Sequence, residues 1–141
     1  MKTKEGWPML KKSIGSIVVC LVMIARAGGA FGDPAQEASS SGAMKRAREN
    51  YMLHCATCHG INGDGKGDLA DSLGEGVKPR NHTDARIMSA RSDEDILKVI
   101  TNGGKSMGFD EAMPAFSSLL SKEEILGLVK YIRQLCECKK E

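Results

Sequence analysis

The 141-residue chain is 41% hydrophobic and 27% charged, with only 4% aromatic residues. That balance fits one compact domain and excludes both a large multidomain enzyme and a disordered polymer. Its 20 basic and 18 acidic residues leave a net charge of +2, without the basic stripe that nucleic-acid binding requires. The charge is also uneven: residues 1–30 hold Lys2, Lys4, Lys11, Lys12 and Arg26 against Glu5 alone, so the remainder is mildly acidic.

Lys11 and Lys12 precede an apolar run from Ile14 to Ala25, closed by Arg26 and the small residues Ala27, Gly28, Gly29 and Ala30. Basic, then apolar, then small is the order of a secretory signal. The run is shorter than the roughly 20 apolar residues of a membrane-spanning helix. Residues 1–30 are therefore read as an export signal, cleaved after Ala27 or after Ala30; left uncleaved, the segment would tether the protein to a membrane. Cys20 is read as a buried residue of that signal. Residues 31–42, mostly GDPAQEASSSG, are small and polar and read as a flexible linker. The folded domain is expected over residues 43–136, with a tail at 137–141.

The domain reads as helical. A first helix is expected from Ala43 to about Leu53, with Ala47 and Tyr51 four apart on one face. The region from Gly60 to Arg91 has many glycines and no sustained period, so a long loop is expected there. Ser92 and Asp95 are spaced as a capping box for a helix with Ile96, Leu97 and Ile100 on one face, ended by Gly103 and Gly104. Ser121 and Glu124 repeat that spacing before Ile125, Leu128, Val129, Ile132 and Leu135, an inward-facing stripe. Three short helices and few aromatics make a thin core for a domain of this size, and a further apolar body is needed to fill it.

Residues 55–59 read Cys-Ala-Thr-Cys-His, the C-x-x-C-H arrangement of covalent c-type haem attachment. Two thiols on one turn can each add to a different vinyl group of the porphyrin, and the adjacent imidazole is then placed to bind the iron. Cys55 and Cys58 are the expected anchors and His59 the expected ligand. A redox disulfide would sit beside a βαβ pattern, which is absent from the sequence. A zinc site completed by Cys136 and Cys138 would need an unusual spacing. A calcium loop over Gly63, Gly65 and Gly67 lacks the glutamate such loops carry at the twelfth position.

On these residues, the chain resembles the class I cytochrome c family. The resemblance runs from Ala43 to Leu135 through Tyr51, CATCHG, a glycine-rich loop, Met113-Pro114 and a final helix bearing Tyr131. The stretches YMLHCATCHGINGDGKGD, PRNHTD, SDEDILKVITNGG and MPAFSSLLSKEEILGLVKYIRQL are similar to small bacterial monohaem members. It implies an all-α cytochrome c fold, three or more helices wrapped around one covalently attached haem c. It also implies that Tyr51 packs on the C-terminal helix and that Ala47 stands at a close helix crossing. A carbonyl near Pro79 and Arg80 would then bond the second ring nitrogen of His59; an ordinary loop proline with a solvated arginine is the other reading.

An electron-carrying haem iron needs a second axial ligand, and a thioether raises its potential relative to two nitrogens. Met88, Met107 and Met113 are the candidates. Met113 is chosen, because Pro114 stiffens its loop and the family's ligand methionine often sits in such a pair. Met107 reads as a flexible neighbour or alternative ligand, and Met88 as packing on the macrocycle. His54 reads as a surface imidazole, and His82 as a group near the haem edge whose ligation would compete with Met113. Cys136 and Cys138 read as unpaired, paired with another chain, or metal-binding, since a disulfide across one residue is strained.

The resemblance implies a periplasmic carrier of single electrons between redox partner proteins, with no substrate turnover of its own. Contact is expected at a haem edge near Ala56, Thr57 and the Met113 loop, rimmed by Lys66, Lys105 and Asp110. Three alternatives stay open: a cytochrome subunit of a larger dehydrogenase or oxidase, a haem sensor or peroxidase-like protein if the methionine is labile, and a zinc module if no haem is attached.

Overall fold

The structure, a computed structural model, describes residues 34–138. The expected export signal, with Cys20, lies outside the described residues. Helix α1 spans Pro34–His54, α2 Ala56–His59, α3 Ala85–Ser89, α4 Asp93–Asn102 and α5 Lys122–Leu135, with 3-10 turns at Ala70–Ser72 and Gly104–Met107. No strand occurs among the described residues. The all-α expectation matches.

Both anticipated capping boxes are present. The Ser92 hydroxyl accepts from the Asp95 N–H at 3.0 Å while the Asp95 carboxylate accepts from the Ser92 N–H at 3.0 Å. Ser121 and Glu124 repeat the exchange at 3.3 and 2.8 Å. These bonds satisfy amide groups that a helix start otherwise leaves without partners. Ile96 and Ile100 of α4 are buried, as are Ile125, Leu128, Val129 and Ile132 of α5. Burying each such side chain contributes about 1.5–3 kcal/mol.

Helix α1 crosses α5 at small side chains. A Cβ placed on Gly127 would lie 3.4 Å from the Ala47 Cβ, so the backbones meet where neither helix carries bulk. One turn along, Tyr51 packs its fully buried ring against Tyr131, centroids 5.1 Å apart. The expected roles of Ala47 and Tyr51 at this crossing are met.

Three readings of chain organisation change. Helix α1 takes in Pro34–Gly42, inside the stretch read as linker. Helix α3 lies inside the region read as loop, its first turn held by the Asp84 carboxylate accepting from the Ile87 N–H at 3.1 Å. Cys138, read as tail, is buried and forms a disulfide with Cys136. Residue Glu137 between them takes a left-handed φ of 50°, the turn that brings the two sulfurs together. Among the described residues no helix is long and apolar enough to cross a membrane.

Candidate haem site

Helix α2 is a single turn continuing from α1 through Cys55, whose N–H donates to the Tyr51 carbonyl at 2.8 Å. So short a helix cannot use its own last carbonyls. The glycine-rich loop supplies their partners: Leu69, Gly67 and Gly65 donate to the carbonyls of Thr57, Cys58 and His59 at 2.9, 3.1 and 2.8 Å. The loop lies so close that a Cβ on Gly67 would fall 2.3 Å from the Thr57 carbonyl oxygen. The alternating glycines thus hold the C-x-x-C-H turn in place. Among the described residues no group of three or more His, Cys, Asp or Glu is arranged to hold a metal ion.

The His59 Nδ1 lies 2.9 Å from the Arg80 carbonyl oxygen. That oxygen only accepts, so Nδ1 carries the proton and Nε2 keeps the lone pair a metal needs. Burial lowers the pKa of His59 from its ordinary value, against the opposing effect of this bond. The carbonyl expected near Pro79 and Arg80 is Arg80's own. Burial, and then the neighbouring Cys58 thiol, push the Cys55 thiol up to about 12.

A cavity of about 720 Å³ opens beside this turn, within the roughly 300–1,000 Å³ usual for cofactor pockets. Cys55, Cys58 and His59 line it, as do Met113 and Pro114. Ile96, Val99, Ile100 and Phe116 supply apolar wall. The Cys55 and Cys58 thiols are free. The donor set of two thiols, an imidazole lone pair and a thioether on one apolar-walled cavity therefore fits a covalently held haem. Met88 and Met107 line the same cavity; Met88 is 3% exposed and belongs to the core. Met113 is held from its backbone, its carbonyl accepting from the Gly104 N–H at 2.8 Å.

Several expectations shift in detail. His54 is half-buried, lines the cavity and meets the Phe116 ring at 5.9 Å rather than standing in solvent. His82 is buried and stacks face to face on His59, centroids 4.3 Å apart and planes within 15°. Two imidazoles side by side do not approach one iron from opposite faces. Ala56 and Thr57 back onto Gly67 instead of lining the cavity. Asp110 does line it, together with exposed Leu69 and Phe109, whereas Lys66 and Lys105 do not. Cys136 and Cys138 bond each other, so they cannot complete a zinc site with Cys55 and Cys58. Nothing in the sequence signalled the His59–His82 stack, which joins residues 23 positions apart across a loop.

Helices crossing at small residues, a single-turn C-x-x-C-H and an apolar cavity beside it define a class I c-type cytochrome, a class whose prosthetic group is covalently bound haem c. The chain belongs to the family of cytochrome c oxidase, cbb3-type, subunit III, whose model matches residues 42–132. It is 32% identical over 93 residues to the cbb3-type cytochrome c oxidase subunit FixP of Azorhizobium caulinodans, spanning 66% of this chain and 27% of that protein. Among solved structures it is similar to the KustC0563 c-type cytochrome, with a TM-score of 0.51 and 33% identity over 67% of this chain and 98% of that one. It is also similar to a chain of the Kuenenia stuttgartiensis reducing HAO-like protein complex Kustc0457/Kustc0458, with a TM-score of 0.54 and 27% identity over 67% of this chain and 44% of that one.

Proposed function

We propose that this chain is a monohaem cytochrome that carries single electrons between redox partner proteins in the periplasm, exported by its N-terminal segment, with His59 and Met113 as axial ligands. The reading rests on one observation: two free thiols, the His59 imidazole and the Met113 thioether line a single cavity. When bound, the haem supplies a one-electron iron couple. Cys55 and Cys58 anchor it, and the Arg80 carbonyl holds the His59 ring in the tautomer that leaves Nε2 for the iron. The Gly104 bond steadies the loop carrying Met113, whose thioether would hold the iron together with His59. Ile96, Ile100 and Phe116 exclude water, which limits solvent reorganisation when the charge changes. With His59 and Met113 both holding the iron, no coordination position would stay open, and the protein would turn over no substrate of its own.

Maturation in a host that attaches c-type haem tests this. Oxidised and reduced visible spectra should be those of a low-spin c-type haem, and the polypeptide mass should rise by one haem. A bare polypeptide mass refutes the reading. Exposed Leu69, Phe109 and Asp110 at the cavity mark where a redox partner would make a small transient contact.

A second reading, as the cytochrome subunit of a larger oxidase or dehydrogenase, is favoured by the match to 27% of FixP and 44% of a chain from a multiprotein complex. Gentle purification of the tagged full chain from its own cells separates the two: recovery at its own mass supports the free carrier, and recovery in a stoichiometric assembly supports the subunit.

A further inference from the structure

The Arg80 carbonyl fixes one atom of the His59 ring, but a single hydrogen bond does not fix the ring's plane. The second side-chain torsion of histidine is broad, so the imidazole can still tilt unless something packs on its face. His82 does so: it is 8% exposed, its ring is within 15° of parallel to His59, and the centroids are 4.3 Å apart.

His82 is itself held on every side. Its Nδ1 is hydrogen-bonded to the Tyr51 hydroxyl at 3.0 Å, the Tyr51 ring stands edge-on to it at 5.8 Å, and its backbone N–H donates to the Gly63 carbonyl at 2.6 Å. Any side chain at Gly63 would intrude here, since a Cβ would lie 3.3 Å from the His82 Cβ and 2.8 Å from the Leu135 side chain. Tyr51 in turn is fully buried against Tyr131 of α5. A chain of contacts therefore runs from the α1–α5 crossing through Tyr51 and His82 to the face of His59.

We propose that His82 is a positioning residue: its ring, tethered by Tyr51, sets the plane in which His59 is presented to the haem. The proposal rests on the haem reading above and names a residue that reading does not use. The orientation of an axial imidazole plane governs how its π orbitals meet the iron d orbitals, and partners behind a metal-bound histidine commonly set that orientation.

The test uses the full haem-loaded protein and the order and spread of its ferric haem-methyl NMR resonances, which follow the axial imidazole plane. His82→Leu keeps apolar bulk but has no flat face, and should rearrange that pattern. His82→Phe restores a flat face and should return the pattern towards that of the unaltered protein. An unchanged pattern in the leucine variant, or a phenylalanine variant no closer to the unaltered protein than leucine, overturns the proposal. If the leucine variant does not fold, Tyr51→Phe decides, because it deletes only the tethering hydroxyl: a shifted pattern supports the proposal and an identical one overturns it. Absence of covalent haem from the unaltered protein overturns the function reading itself, and this is seen before any variant is made.

Discussion

Gly67 lies where the glycine-rich loop meets the C-x-x-C-H turn, with backbone oxygen on the side a Cβ would occupy. Backbone cannot rotate away as a side chain can, so Gly67→Ala should cost about 1–3 kcal/mol through overpacking, read as a lower melting temperature of the haem-loaded protein. Axial ligand identity spreads haem potentials across about 0.8 V. Met113→Ala should therefore lower the midpoint potential by on the order of a tenth of a volt and let the reduced protein bind carbon monoxide. An unchanged potential with the sulfur-to-iron absorption band intact would assign the ligand to Met88 or Met107 instead. At this scale the sequence was informative where a side chain's chemistry is its own evidence. The C-x-x-C-H turn is legible from spacing and the carbonyl near Pro79 and Arg80 from the family resemblance, whereas the His82 stack depends on how the loop folds back and leaves no trace in residue type.

Helices α4 and α5 were legible because a capping box is a local signal, complete within four residues and followed by an apolar stripe. Helix α3 was not, because five residues are too few to show a period. The upstream part of α1 was not, for another reason: its serines and glycine are weak helix formers. Two predictions belong to the elements. Ser121→Ala should cost about 1 kcal/mol, measurable by denaturant unfolding. The cap hydrogen bonds hold the Asp95 and Glu124 carboxyls below their ordinary pKa. A carboxyl depressed in the folded state stabilises above its unfolded pKa and loses that effect as pH falls through the folded value. Stability should therefore decline below the ordinary carboxylate range, and Glu124→Gln should flatten part of that decline in acid titrations followed by circular dichroism.

The described residues build one domain whose helices and loops wall a haem-sized cavity. Apolar side chains line a cavity of about 720 Å³, a fit for a haem, and a domain this small has little other core. Cys55→Ser combined with Cys58→Ser should therefore abolish cooperative thermal unfolding; a sharp native-like transition in that variant without haem would show that the polypeptide core suffices. The need for a filler was readable from composition, since few aromatics and a long irregular loop cannot close a core alone. The shape of the space was not, because its walls come from segments distant in sequence.

One of those walls depends on a single guanidinium. Arg133 of α5 donates to the carbonyls of Met88 and Arg91 at 2.7 and 2.5 Å and pairs with Asp93 at 2.7 Å. All three partners lie 40 or more positions earlier in the chain, so this one side chain closes a long loop. The Cys55 thiol lies on the same cavity, where burial pushes its pKa up. The C-terminal helix thus latches the Met88–Asp93 segment, and with it one wall of the cavity, through one side chain.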